Sequence, residues 1–318
     1  MRIKITVPLI FFISISFALF IGAGGYGFGG DFYASYYKNN LFGWGGVRDQ
    51  LGWVLSTLTI NKMHIGVYIT SYLLAISTGL LLYRATYCYF KKNSWIFFLL
   101  FILMIHTWPI IMSTSNVMRQ GLSMSFIFLA FNFILSRRTI WAVFAAVLAV
   151  FLHKSGILLA SIFVGLIFFL NLSKRVRLLS HYRDNILLMG GLILFISAYL
   201  LIPLFLADHE ESSRIISGDF RYPFLIINII FIFIYIKYLK KSADFIDMFL
   251  LLVSFTFPAF LFQGFNWEYE RFNMMVLIPY MISFSRIFIL RDKTIVLFSS
   301  TVLLLIMTIY TGMYRSFM

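Results

Sequence analysis

A chain of 318 residues that is 61% hydrophobic, 19% aromatic and only 12% charged cannot close around a soluble core. It reads as an all-α polytopic integral membrane protein, with residues 1–318 forming a single transmembrane domain. The formal net charge of +14 would suggest nucleic acid in a soluble protein, but here the excess of Lys and Arg in cytoplasmic loops accounts for it, so nucleic acid is not an expected partner.

The chain opens Met1-Arg2-Ile3-Lys4 and then runs apolar to Ile21. This has the charge order of a signal peptide, but the run is of spanning length and is taken as an uncleaved first span. Spans are predicted near residues 5–22, 65–83, 95–112, 118–135, 140–152, 156–172, 186–206, 223–239, 245–264, 272–290 and 294–311, about 11 transmembrane helices (10–12) in all. With the N-terminus cytoplasmic, seventeen of the 26 Lys and Arg fall inside and nine outside, the sense of the positive-inside rule. Eight of the twelve acids fall outside as well. Topology explains short basic inner loops. It does not require outer loops rich in acids, Gly, Trp and Tyr, so the working surface is expected outside.

Three outer loops follow from this topology. The first, residues 23–62, is too Gly-rich at its start for a regular helix and then carries Asp31, Tyr33, Tyr36 and Tyr37. Its second half puts Leu51, Val54, Leu55 and Leu58 on one helical face, the pattern of a helix lying at the interface, with Arg48 on the polar side. The second loop, 207–222, holds Arg214 and Tyr222 and is either a solvated connector or a lid that brings them to a substrate. The third, 265–271, places Trp267, Glu268, Glu270 and Arg271 at the mouth of a span. A single cysteine, Cys88, excludes an internal disulfide and a cysteine-based zinc site. Phosphate-loop, dinucleotide-binding, His-Glu-x-x-His and nucleophile-elbow motifs are absent.

The stretch from Val117 to Ile157 organises the rest. At 1.5 Å per residue, Arg119 to Arg137 covers roughly 27 Å and Thr139 to His153 roughly 21 Å, so the pair returns to the face it left. Arg119 and Gln120 should therefore sit beside His153 and Lys154, with Arg137 and Arg138 at the other surface. Arg119 at a helix N-terminus suits an anion, phosphate or pyrophosphate, although an Arg at a span end also snorkels. His153 could serve as general base or as an ordinary interfacial imidazole, and Lys154 as an anion contact or a snorkelling charge. Asp31 could be a helix cap or a reacting acid, and Glu268, Glu270 and Arg271 a self-satisfied ion cluster or site groups.

Gly29-Gly30-Asp31 with its tyrosines, Gly52-Trp53-Val54-Leu55, Arg119-Gln120-Gly121, Phe151-Leu152-His153-Lys154-Ser155-Gly156 and Glu270-Arg271-Phe272 occur in this order over most of the chain. Together they resemble the EpsG-like, Wzy-type polysaccharide polymerases of bacteria, with Arg-Gln and His-x-Ser the most specific elements. The resemblance implies a GT-C-like membrane glycosyltransferase in the bacterial inner membrane, its active site facing the periplasm. Such an enzyme moves a growing glycan from undecaprenyl pyrophosphate to the terminal sugar of a lipid-linked repeat unit. It implies catalytic roles for His153, Asp31 and Glu268, and pyrophosphate contacts from Arg119, Arg48, Arg271 and Lys154. Gln120, Tyr33, Tyr36, Arg214, Tyr222, Trp267 and Glu270 would hold the sugars. No metal or other cofactor is implied, while membrane lipid, a chain-length regulator and a flippase are implied partners. A lipid-linked oligosaccharide flippase and a membrane O-acyltransferase are the competing readings of the same residues.

Overall fold

In lipid, a backbone N–H or C=O has no water to bond, so an apolar run must satisfy its polar groups within itself as helix. The computed structural model of the protein describes residues 3–25, 65–90, 94–115, 117–206, 220–240 and 242–289, and no β-strand occurs among them. The helices are α1 (Ile3–Gly22), α2 (Ile65–Phe90), α3 (Ser94–Ile105), α4 (Trp108–Ser115), α5 (Met118–Leu135), α6 (Thr139–Leu152), α7 (Lys154–Arg175) and α8 (Arg177–His181). They continue as α9 (Arg183–Leu206), α10 (Arg221–Ile234, running on as one π-helical turn Tyr235–Leu239), α11 (Phe245–Thr256), α12 (Pro258–Phe262) and α13 (Asn266–Ile289).

Among the described residues six helical stretches are long and apolar enough to cross a membrane, or up to seven if one bent pair counts as a span. The chain is a multi-pass, helical membrane protein. The bent pair is α3 and α4, which meet at 49° where the sequence predicted one span over 95–112. Pro109 accounts for the break. It lacks an N–H and its ring clashes with the carbonyl four residues back, which favours a kink or break at this point. His106 Nδ1–H donates to the Ile102 carbonyl at 2.7 Å and the Thr107 hydroxyl to the Met104 carbonyl at 2.6 Å, tying side chains onto the end of α3. The expected span 294–311, the interfacial helix expected within 46–58 and most of the 207–222 loop lie outside the described residues.

The described residues pack as two units, one of those up to Ala160 together with those from Phe284, the other of those within Ser161–Ser283. In the first unit α2 packs on α1 and on α5, and α5 on α4 and α6. Helix α6 shows why: Ala142, Ala145, Ala146, Ala149 and Leu152 are buried while Ile140, Trp141, Phe144, Val147 and Phe151 are exposed. One face carries small residues that let α5 come close, and the other offers bulky apolar groups to lipid. The connection between α5 and α6 is closed by Arg137 in the left-handed conformation (φ 60°). Its N–H donates to the Ile134 carbonyl at 3.0 Å and that of Arg138 to the Phe133 carbonyl at 2.8 Å, the two bonds of a Schellman turn.

In the second unit α11 is buried from Phe245 to Ser254 and packs on α9 and α10. Asp244 starts it with a reciprocal capping box, accepting from the Ile246 and Asp247 N–H groups while Asp247 accepts from the Asp244 N–H. Helices α9 and α10 expose apolar side chains such as Leu192, Ile193, Leu200, Ile229 and Phe233. Such a face would aggregate in water, and in a membrane it meets lipid.

Candidate functional site

The α5–α6 hairpin has its two helices locked in register near the end opposite Arg137. The Ser123 hydroxyl on α5 donates to the Ala149 carbonyl on α6 at 2.9 Å. Ser123 lies one turn beyond Arg119, and Ala149 one turn before His153. Because the tight turn makes the helices antiparallel, this bond sets Arg119 and His153 at the same level of the hairpin.

Two glycines fix the neighbouring elements at the same place. A Cβ on Gly121 would overlap the Ser113 carbonyl, so α4 touches the backbone of α5 one residue after Gln120. A Cβ on Gly156 would overlap the Ala149 carbonyl and come within 2.6 Å of the Ser123 hydroxyl, so α7 begins in contact with both halves of the hairpin. The glycines in Arg-Gln-Gly and His-Lys-Ser-Gly are thus required by close backbone approach. Arg119 is half-buried and Gln120 buried. Helix α5 begins at Val117 without a side-chain cap, and the positive end of its dipole adds to the Arg119 charge.

His153 is buried and extended (φ −158°, ψ 145°), and sits between α6 and α7 as the N-cap of α7. Its Nδ1 accepts the Ser155 N–H at 3.2 Å and lies 2.6 Å from the Ser155 hydroxyl, while its carbonyl accepts the Gly156 N–H at 2.9 Å. An imidazole takes here the capping place usually filled by Ser, Thr, Asp or Asn. Lys154 is the first residue of that helix.

The second unit gathers another group of the predicted residues. Trp267, Glu268, Glu270 and Arg271 occupy the first turns of α13. Glu268 and Glu270 are buried, and the Arg271 guanidinium stacks on the Trp267 ring, 4.5 Å from its centroid. Beneath them lies a hydrogen-bonded core. Asn228 on α10 donates to the Tyr269 hydroxyl at 3.1 Å and to Asn273 Oδ1 at 2.8 Å, and accepts from the Tyr280 hydroxyl at 2.8 Å. The Tyr280 hydroxyl also meets that of Ser254 on α11 at 2.7 Å. Since Asn228 meets Asn273 and, further on in both helices, Phe231 meets Tyr280 (ring centroids 5.1 Å apart), α10 and α13 run parallel. Their starts, with exposed Tyr222 on one and Trp267 to Arg271 on the other, therefore lie at one end of this unit. Arg221 stacks on Tyr222 at 4.8 Å.

Of the residues named from the sequence, the hairpin brings Arg119, Gln120 and His153 together, and α13 brings Trp267, Glu268, Glu270 and Arg271 together. Asp31, Tyr33, Tyr36, Arg48 and Arg214 lie outside the described residues. Among the described residues no three His, Cys, Asp or Glu side chains gather as a metal-binding set. Ser123 carries no motif that marks it in the sequence, whereas Asn228 inside the run Arg221–Ile234 signals a buried polar contact, here with Asn273, because a polar group in a membrane helix needs a partner.

Compared with protein families, the chain matches the EpsG family over residues 7–318. The chain belongs to the EpsG family. That family points to a membrane polymerase of the glycosyltransferase kind, concerned with polysaccharide. Neither the curated proteins nor the solved structures give a match. Both motifs of the hairpin junction lie within the matched EpsG region.

Proposed function

We propose that this EpsG-family chain is a Wzy-type polymerase that transfers a growing glycan from undecaprenyl pyrophosphate to the terminal sugar of a lipid-linked repeat unit. It would be an inner-membrane protein of about 11 spans with a GT-C-like architecture and a cytoplasmic N-terminus, working at the periplasmic face. The observation that carries the reading is the junction of Arg119, Gln120 and His153 at one end of the α5–α6 hairpin in an EpsG-family chain.

Transfer breaks the bond between the anomeric carbon and the pyrophosphate oxygen, and charge develops on the departing group. A guanidinium at a helix N-terminus stabilises that charge as it forms, which is worth about 10²-fold in rate or more. Arg48, Arg271 and Lys154 are the further cations, and Tyr33, Tyr36, Arg214, Tyr222, Trp267 and Glu270 the sugar contacts, that the sequence offers. His153, Asp31 and Glu268 are its catalytic groups. The scheme calls for no metal or cofactor. Its partners are the lipid-linked oligosaccharides themselves, with a flippase supplying them and a chain-length regulator limiting the product.

Purified protein incubated with lipid-linked repeat units should yield a ladder of longer glycans. Translocation of the lipid-linked unit without any lengthening would replace this reading with a flippase. Single cysteines at Ser212 and Trp267, in a Cys88→Ser background, should react with an impermeant thiol reagent in spheroplasts, and cysteines at Lys92 and Arg177 only after permeabilisation. The reverse pattern would move the site to the cytoplasm.

A further inference from the structure

His153 is a residue to which base chemistry is readily assigned, yet its surroundings restrict what the ring can do. The Ser155 backbone N–H has only a hydrogen to offer, and it offers it to Nδ1 at 3.2 Å as the second residue of α7. An Nδ1 that accepts this bond carries no proton, and the Ser155 hydroxyl at 2.6 Å is then a second donor to the same atom. The neutral ring consequently holds its proton on Nε2, where it can only donate. The conformation that enforces this belongs to the chain: His153 is extended, Gly156 is pressed against the Ala149 carbonyl, and the Gly156 N–H closes onto the His153 carbonyl at 2.9 Å.

We propose that His153 serves the transfer reaction as a hydrogen-bond donor from Nε2–H, directed at the anionic leaving group that Arg119 binds, and that Ser155 is the positioning residue that fixes the tautomer. This rests on the polymerase reading. The bond from the anomeric carbon to the phosphate oxygen breaks with its electron pair staying on the pyrophosphate. The accepting hydroxyl oxygen bonds the anomeric carbon, and its proton passes to a carboxylate base. His153 neither gains nor loses a proton over the cycle. The register bond between Ser123 and Ala149 supports the assignment, because it holds His153 level with Arg119 and so with the pyrophosphate.

Two substitutions separate a donor from a base. Gln places an amide N–H where Nε2–H was but cannot cap α7, whereas Asn places a carbonyl where Nδ1 was and keeps the cap without the distal donor. Neither can accept a proton. His153→Gln should therefore melt at a lower temperature than the wild type and yet keep chain lengthening well above the roughly 10²-fold loss expected of a missing base. His153→Asn should melt normally and lose about 10²-fold or more. Nitrogen NMR of detergent-solubilised protein with ring-¹⁵N histidine gives a readout that needs no activity. With the imidazoles neutral, the one of five histidine signals that His153→Gln removes should show an unprotonated Nδ1 and a protonated Nε2. A proton on Nδ1, or equal loss of lengthening in the Gln and Asn variants, would overturn the proposal. A wild-type protein that lengthens nothing would overturn the polymerase reading instead, and the spectrum of the same sample would still report the tautomer.

Discussion

The two groups of candidate residues are held by different means. In the first unit, Arg119, Gln120 and His153 are placed by backbone. Two glycines sit against carbonyls, one serine bonds a carbonyl across the hairpin, and one imidazole caps a helix. In the second unit, the turn that carries Glu268, Glu270 and Arg271 rests on side chains, the Asn228, Tyr269, Asn273, Tyr280 and Ser254 network joining α10, α11 and α13. A junction made of backbone contacts has no slack, since a carbonyl cannot rotate away from an added methyl. A side-chain network tolerates change at its edge and fails at its centre.

The largest stability effect should therefore come from the smallest substitution. Gly121→Ala and Gly156→Ala each force two backbones apart and should cost about 3 kcal/mol, at the upper end for overpacking. Thermal unfolding in detergent would measure the loss, and an unchanged melting temperature would mean that the backbones are not in contact. Asn228→Leu should come next, at about 2 kcal/mol, because it leaves the Tyr280 hydroxyl and Asn273 Oδ1 buried and lacking their Asn228 bonds. A loss of the same size as Tyr280→Phe produces, near 0.6 kcal/mol as for single hydrogen bonds in membranes, would show that Asn228 is not the hub. The smallest effect has the opposite sign. Arg137→Gly removes the steric strain of a left-handed arginine and should stabilise the hairpin by about 1 kcal/mol. No gain would place the turn in another conformation.

This contrast also decides what could be read from the chain alone. The hairpin was legible because its parts are short-range and spaced by lengths that geometry fixes: two apolar runs of near-bilayer length, a three-residue turn, and Arg-Gln-Gly and His-x-Ser-Gly at the far ends. The bend before Trp108 was legible too, since Pro109 announces it, but run length outweighed it in the prediction of a span over 95–112. What Ser155 does for His153 was hidden, because serine two residues after histidine has no spacing signature for tautomer control. The second network was hidden for a different reason. Asn228 meets partners 41, 45 and 52 residues away, and nothing local in α10 says which of them will face it. Glu268 near the start of α13 could be foreseen as a carboxylate favoured by the helix dipole, but not its burial.

On the proposed function, the Arg119 end of the α5–α6 hairpin, and not its turn, is where glycan transfer takes place. One experiment addresses both ends of the same hairpin. Arg119→Ala and Arg137→Ala, purified side by side at matched melting behaviour, would be given lipid-linked repeat units and the product ladder quantified. The account predicts that Arg119→Ala loses about 10²-fold or more in lengthening rate, the value of a charge contact to the leaving pyrophosphate, while Arg137→Ala lengthens as the wild type does. Near-normal ladders from a stable Arg119→Ala, or an equal loss from Arg137→Ala, would contradict it.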